Sequence, residues 1–178
     1  MNENIERVFL TQKQIQNKVA EAAAWLDRKF EGKTPLAVCV LKGSVLFFGD
    51  LIRAMQTPVE LDFMSVSSYG NSSVSSGAPR VTKEPSTKIE GRDILLVEDI
   101  IDSGHTLAFL RRYFKERGAS SFTAVALLNK PCRRETCEQA DYTCVDAGDE
   151  FLVGYGLDYA EKYRNLPYIG ILKREAYE

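Results

Sequence analysis

Residues 94–107 read Ile-Leu-Leu-Val-Glu-Asp-Ile-Ile-Asp-Ser-Gly-His-Thr-Leu, and no other stretch of the chain restricts the fold so tightly. Ile94 to Val97 is an unbroken apolar run, the pattern of a strand buried in a parallel sheet. Glu98 and Asp99 follow at once, then Ile100-Ile101, then a third acid, Asp102. The small polar turn Ser103-Gly104-His105-Thr106 opens an amphipathic helix. Carboxylates crowded at the end of a buried strand are unfavourable unless a cation or a hydroxyl meets them. The turn after them offers N–H groups at a helix N-terminus, which favour phosphate. A site that wants phosphate beside hydroxyls, a cation or a proton suits a sugar phosphate.

The rest of the composition narrows the class. A chain of 178 residues with 44% hydrophobic residues has material for one well-buried core and reads as one domain. A net charge of −2 gives no bulk reason to expect nucleic acid as a partner. Cys39, Cys132, Cys137 and Cys144 lack CxxC spacing, and the expected state is free thiols in a reducing cytoplasm. A single histidine argues against a histidine-based metal site. Residues 1–7 carry no apolar core of a signal peptide, and no apolar run approaches the ~20 residues of a membrane span.

Along the chain, Thr11 and Gln14 form a capping-box pair ahead of an apolar stripe at Ile15, Val19, Ala22 and Leu26, so a helix is expected there, ending near Gly32. Leu36 to Leu41 reads as a buried strand, Lys42-Gly43-Ser44 as the turn that ends it, and Val45 to Met55 as a helix. Pro58 to Ser67 and Arg80 to Lys88 read as strands. Between them lies a small, polar, uncharged stretch, and its length together with Tyr69 near its start marks 68–79 as a flexible lid. After the key helix, Phe122 to Leu128 is a strand, with Tyr142 to Val145, Phe151 to Tyr155 and Tyr168 to Leu172 as further ones. Strands alternate with helices up to about residue 130, which predicts an α/β fold with a central parallel sheet flanked by helices. The strand-rich remainder, about 131–178, predicts a smaller hood lobe. Both polar turns fall at C-terminal strand ends, where open α/β sheets bind ligands.

Ile94 to Thr106 matches throughout the thirteen-residue signature of the type I phosphoribosyltransferases: apolar strand, Glu-Asp, two apolar residues, Asp, Ser/Thr-Gly, any residue, Thr. Leu41-Lys42-Gly43-Ser44, Ser68-Tyr69-Gly70, Lys130, the run Phe151 to Tyr159 and Arg164 match further segments of the 6-oxopurine branch. The chain thus resembles the purine phosphoribosyltransferases, most closely the hypoxanthine-guanine type, over nearly its whole length. The resemblance implies transfer of a 5-phosphoribosyl group from phosphoribosyl diphosphate (PRPP) to hypoxanthine, guanine or xanthine, with Mg²⁺ and release of pyrophosphate. It also implies a cytoplasmic homodimer or homotetramer.

The resemblance assigns roles residue by residue. Glu98 and Asp99 are expected to hold the ribose hydroxyls, directly or through Mg²⁺, with Asp158 as a third metal-associated carboxylate. Asp102 is the expected general base at the purine N7, unless it only caps the helix that follows. Ser103, Gly104, His105 and Thr106 are expected around the 5-phosphate, with the His105 imidazole pointing outward because a cation there opposes the helix dipole. Lys42, Gly43 and Arg164 are expected on pyrophosphate. Lys130 is expected on the purine 6-oxo group, Phe151 on the purine face, the Leu152 carbonyl on a 2-amino group, and Asp158 near the same end. Ser68 and Tyr69 are expected to close over the reactants.

A competing class remains at this point, a PRPP- or purine-sensing regulator that keeps the fold and binds nucleic acid. It would need a basic surface or an added DNA-binding segment, and Arg111-Arg112 and Arg133-Arg134 are only short pairs.

Overall fold

The computed structural model describes residues 3–67 and 79–177; the expected lid, with Ser68 and Tyr69, falls almost wholly outside the described residues. Nine strands and three α-helices run in the order β1 (Ile5–Leu10), α1 (Gln12–Lys29), β2 (Leu36–Leu41), α2 (Val45–Ala54), β3 (Glu60–Ser67), β4 (Arg80–Lys83), β5 (Asp93–Ile101), α3 (His105–Glu116), β6 (Ser121–Asn129), β7 (Tyr142–Asp146), β8 (Leu152–Val153) and β9 (Ile169–Leu172) among the described residues.

Local chemistry explains where the helices begin. Gln14 N–H donates to Thr11 Oγ1 at 3.3 Å and Thr11 N–H donates to Gln14 Oε1 at 2.9 Å, so the capping box closes and α1 starts at Gln12. Its stripe of Ile15, Val19, Ala22, Ala23 and Leu26 is buried. In α3 the N-cap is Gly104, in the left-handed region at φ 91°, and no side chain caps the helix.

Six strands form the main sheet in the order β4-β3-β2-β5-β6-β7. All pairs are parallel except β3 with β4. Alternate residues of the central strands face opposite layers. Ala37, Cys39, Leu95, Val97, Val125 and Leu127 join α1 and α2 in one core cluster, while Leu36, Val38, Ile94, Leu96, Ala124 and Ala126 join Leu107, Leu110, Tyr113 and Phe114 of α3 in another. The fully buried Val, Leu, Ile and Phe side chains among them contribute about 1.5–3 kcal/mol each, so the two-sided burial of β2, β5 and β6 fixes the sheet's register.

From β2 the chain steps outward to β3, and from β5 it steps the opposite way to β6 and β7. The strand order therefore reverses between β2 and β5. Their C-terminal ends border the crevice where doubly wound sheets take ligands. Lys42-Gly43-Ser44 follows β2, and the acidic run ends β5. No helix among the described residues is long and apolar enough to cross a membrane.

A second, three-stranded antiparallel sheet has the order β1-β9-β8. It unites both ends of the chain, pairing Ile5 with Leu172 and Leu152 with Ile171. Ile5, Val153 and Leu172 form its core, with Phe151, Tyr159, Tyr163, Leu166 and Tyr168 packed against them.

Several boundaries differ from the sequence reading. Strand β5 does not stop at Val97 but carries the acids on to Ile101, because Glu98, Ile100 and Ile101 keep pairing with β6. Strand β7 falls within the stretch read as the smaller lobe, yet it pairs parallel to β6 as the edge of the main sheet. Strand β4 ends at Lys83 instead of reaching Lys88. The expected strand from Phe151 to Tyr155 shrinks to Leu152–Val153, because Gly154, Tyr155 and Gly156 have φ of 99°, 49° and 101°, which no strand tolerates. Strand β1 has no alternating pattern strong enough to announce it; only Ile5 and Leu10, at its ends, are buried.

Candidate active site

A cavity of about 830 Å³ opens at the β2/β5 switch point. Its wall includes Lys42, Gly43, Glu98, Asp99, Asp102, Ser103, Gly104, His105, Thr106, Asp158 and Arg164, which sequence analysis drew from three separated segments. Its volume lies in the range typical of small-molecule sites.

Glu98 and Asp99 sit at the end of β5. Glu98 is buried, and burial followed by the neighbouring Asp99 charge pushes its carboxyl well above the usual carboxylate range. Burial likewise raises Asp99, to about 6, against opposing help from the Ile100 N–H and from Arg164. The Ile100 N–H donates to Asp99 Oδ1 at 2.8 Å. The other Asp99 oxygen lies against Gly43, where any side chain would collide with it. Glycine at 43 is therefore required for space, not for backbone conformation. The pair is short of positive charge, which suits an arriving cation or hydroxyl donors.

Asp102 does not cap α3, since the N-cap is Gly104 with no side-chain cap. Arg133 Nε stands 3.0 Å from Asp102 Oδ1, yet that buried oxygen accepts no aligned hydrogen bond. It retains acceptor capacity at the cavity wall. The uncapped first turn of α3 leaves N–H groups for an anion. A side chain on Gly104 would strike Thr136 and Arg134, so glycine here serves both its left-handed φ and close packing. Ser103 O accepts the Glu135 N–H at 2.9 Å, which ties the turn to the 133–136 segment. The His105 ring meets the Glu135 carboxylate at 2.9 Å, half-exposed at the rim.

Across the cavity, the Leu41–Lys42 peptide is cis and Ser44 anchors the turn, its hydroxyl donating to Val40 O at 2.7 Å. Arg164 reaches the same end from the loop between β8 and β9. It pairs with Asp158 at 2.9 Å and donates to Gly156 O at 2.8 Å.

Lys130, Phe151 and Leu152 are not brought into this cavity wall. Lys130 is buried and donates to Glu150 O at 2.7 Å. Phe151 stacks on Tyr177 with centroids 5.0 Å apart and meets Tyr159 edge-on at 5.6 Å. Leu152 lies in β8 with its side chain in the main core. Lys130 just past β6 and Phe151 in the lobe thus lie beside the cavity with partners of their own.

Sequence reading missed three charged residues of the site region. Arg133 and Glu135 line the cavity, and Arg133 was noticed only as half of a basic pair. Glu161 bridges Lys42 and Arg164 at 3.0 and 3.2 Å. No local signal marks it, since Lys42 is 119 residues away. Among the described residues, no group of three or more His, Cys, Asp or Glu is arranged to hold a metal ion alone. All four cysteines are free; burial pushes the Cys39 thiol up to about 11 and the Cys144 thiol to about 12, so both are inert.

A mostly parallel sheet with acids at β5, an anion-ready helix terminus and a polar turn after β2 defines the class, and residues 9–160 match the family described as phosphoribosyl transferase domain. The hypoxanthine-guanine phosphoribosyltransferase of Bacillus subtilis is 51% identical over 178 residues, covering 100% of this chain and 99% of the relative. That of Streptococcus thermophilus is 49% identical over 177 residues, covering 99% and 98%. A crystal structure of a hypoxanthine phosphoribosyltransferase from Staphylococcus aureus superposes with a TM-score of 0.93 at 43% identity, covering 98% of this chain and 95% of that one. The chain belongs to the hypoxanthine-guanine phosphoribosyltransferase family.

Proposed function

We propose that this protein transfers the 5-phosphoribosyl group of PRPP to N9 of a 6-oxopurine, hypoxanthine, guanine or xanthine, giving the nucleoside monophosphate and pyrophosphate. One observation carries the reading. Buried acids, an uncapped helix terminus and the Lys42/Arg164 cations share a single cavity at the switch point. That set complements one molecule with a ribose, a monoester phosphate and a pyrophosphate. The full-length relatives, named as transferases, support it; the regulator reading gains nothing from them.

Positive charge grows on the anomeric carbon as pyrophosphate leaves, so positioning and electrostatics dominate the catalysis. The α3 terminus with Ser103, Gly104, His105 and Thr106 binds the 5-phosphate through N–H and hydroxyl donors. Glu98 and Asp99 hold the ribose hydroxyls. Lys42, the Gly43 amide and Arg164 hold the pyrophosphate. Asp102 takes the proton from the purine N7 with its spare acceptor oxygen, after Arg133 yields. Lys130 has three donors, of which one goes to Glu150 O, and a remaining one serves the purine 6-oxo oxygen. An adenine amino group would meet that ammonium unfavourably, which sets the base preference. Phe151 stacks on the purine, and the Leu152 carbonyl accepts from a 2-amino group.

Mg²⁺ fits this donor set as a shared ion, not a caged one. It demands oxygen ligands, keeps several waters and is commonly bound by one or two carboxylates plus substrate phosphates. Asp99, Glu98 and Asp158 would supply the protein side, consistent with the raised carboxyls of the first two. When bound, the ion neutralises the departing pyrophosphate.

The chain is read as one domain, with the β1-β9-β8 lobe as the hood, residues 68–79 as a lid that excludes water, and a cytoplasmic homodimer or homotetramer as its working form. Exposed free Cys132 and Cys137 suit a reducing compartment. The deciding experiment incubates the pure protein with PRPP and Mg²⁺ and each of hypoxanthine, guanine, xanthine, adenine and uracil in turn, and measures nucleotide formed. Product from the oxopurines alone is expected. No product from any oxopurine refutes the assignment.

A further inference from the structure

The pyrophosphate end of the cavity already contains an anion, and it is the protein's own. Lys42 Nζ lies 3.0 Å from Glu161 Oε1. Arg164 Nη2 lies 3.2 Å from Glu161 Oε2, with Nε of the same guanidinium at 3.4 Å. One carboxylate thus bridges two cations delivered by different elements. Its two oxygens each take one cation, as two phosphoryl oxygens would.

The segment that presents Glu161 is conformationally strained. Ala160, Glu161 and Tyr163 all occupy the left-handed region, at φ of 50°, 62° and 75°. Non-glycine residues stay there only when surrounding contacts hold them. For Glu161 those contacts are its N–H to Asp158 Oδ2 at 2.9 Å and the two ion pairs. The partners are unequal. Arg164 is 26% exposed and keeps Asp158 and Gly156 O without Glu161. Lys42 and Glu161 are 67% and 65% exposed, and Lys42 has no other ion-pair or hydrogen-bond partner among the described side chains. An exposed pair of this kind is weak, screened by salt and quickly exchanged. Lys42 and Arg164 also hold the Glu161 carboxyl below the usual carboxylate range, so it stays ionised through neutral pH.

We infer that Glu161 is a resident competitor for the pyrophosphate subsite. Its carboxylate neutralises Lys42 and Arg164 while the subsite is empty, swings into solvent when PRPP or pyrophosphate arrives, and returns as the product departs. This rests on Lys42 and Arg164 being the pyrophosphate ligands of the proposed reaction. Glu161 touches no reacting atom; it is a positioning residue acting through the two cations. By mass action, a ligand binds its site more weakly in proportion to the fraction of time the site is self-occupied. Weak exposed pairs set that penalty at about three- to tenfold. It falls on PRPP and on pyrophosphate alike, and it speeds release of the product.

The test is Glu161→Gln, which keeps the shape and an acceptor oxygen but removes the charge. Binding of pyrophosphate with Mg²⁺ to the full chain is measured by calorimetry, alongside KM for PRPP and for hypoxanthine. The variant is expected to bind pyrophosphate about three- to tenfold tighter and to lower the PRPP KM by the same factor. The hypoxanthine KM should not move. Lys42→Met, added to either form, should weaken pyrophosphate binding and shrink the difference between them. Glu161→Ala should act in the same direction as Gln, which guards against an idiosyncratic effect of either side chain. Unchanged pyrophosphate affinity in both variants, or weaker affinity, overturns the inference, the latter because Glu161 would then be holding the cations in place. If the unaltered chain forms nucleotide and binds pyrophosphate but the variants do not differ from it, this inference alone falls. If the unaltered chain binds no pyrophosphate, the subsite reading falls with it.

Discussion

At the β2/β5 end of the large sheet the acids and the helix terminus are short of partners, whereas the base-recognition candidates Lys130 and Phe151 already have them. Glu98 is buried and Asp99 half-buried beside it, both with raised carboxyls, Asp102 Oδ1 accepts no aligned hydrogen bond, and the α3 terminus has no side-chain cap. By contrast Lys130, just past β6, has Glu150 O, and in the lobe Phe151 has Tyr177 and Tyr155 donates to Asp50 at 2.7 Å. Acids and an uncapped helix terminus on rigid strand ends are built in advance for a highly charged ligand, while Lys42 and Arg164 must first be released by Glu161, and Asp102 by Arg133. Lys130 meets a ligand with the donors it keeps beyond Glu150 O. Asp50 belongs to α2, so the Tyr155 bond also fastens the lobe to the helix that follows the Lys42 turn.

The sharpest challenge to this contrast is Asp102→Asn. If the spare oxygen is the base, turnover falls on the order of 10²–10⁴-fold, the range for losing a general base. Folding is expected to persist, because the carboxylate makes only one exposed ion pair. Steady-state kinetics with hypoxanthine, with circular dichroism as the fold check, decides it. Near-normal turnover would remove Asp102 from the chemistry.

Next in size is Gly43→Ala. The added methyl would displace the Asp99 carboxylate that rests on Gly43. Misplacing such a group by about 1 Å can lower the rate about 10²-fold. The KM for PRPP should rise while the preference among bases stays fixed, which initial-rate measurements over a PRPP series would show. A change in base preference would mean that the two regions are not separable in the way their contacts imply.

These two variants also mark what was legible in the sequence. The acids, the phosphate turn and the helix after it are contiguous, so one thirteen-residue segment announces strand, charge and turn together. The two-sided burial of β2, β5 and β6 is written in their apolar runs. The lobe is not written locally. Its sheet forms only when Ile5–Leu10 returns to pair with Ile169–Leu172, and a six-residue edge strand buried only at its ends carries no period to detect. The need for glycine at 43 was also hidden, because a carboxylate 56 positions later in the chain imposes it, not a positive φ. Glu161 was invisible for the same reason: its meaning lies in two cations that tertiary structure brings to it.

For base recognition, Lys130→Met is the matching probe. It removes the proposed 6-oxo donor and leaves Glu150 O without its ammonium partner. The kcat/KM for hypoxanthine should drop about 10- to 100-fold, equivalent to about 1–3 kcal/mol for an unpaired polar group. Discrimination against adenine should relax, and the KM for PRPP should change little. Competition assays with the two bases read this directly, and unaltered discrimination would detach Lys130 from base recognition.

The smallest expected effect is on stability, and it has the opposite sign. Asp99 has its folded-state carboxyl raised to about 6, above the ordinary 3.8, chiefly by burial. A raised carboxyl means the fold prefers the protonated form. The favourable contribution is full below about pH 4 and is lost as pH rises through about 6. At pH 8 the charge is therefore a burden on the empty protein, one that a bound cation would relieve. Asp99→Asn removes that charge and can keep an acceptor for the Ile100 N–H. Allowing for partial exposure, the gain at pH 8 should be about 1–2 kcal/mol. That corresponds to a rise in Tm of roughly 2–8 °C for a chain of this size. At pH 4 the difference should nearly vanish, and at every pH the variant should be impaired as a transferase. Stability at the expense of activity is what a carboxylate kept for ligand contact predicts. Calorimetric scans of both proteins at pH 4 and pH 8 without metal decide the matter, and a variant less stable at pH 8 would show that Asp99 holds the fold together instead of waiting for a partner.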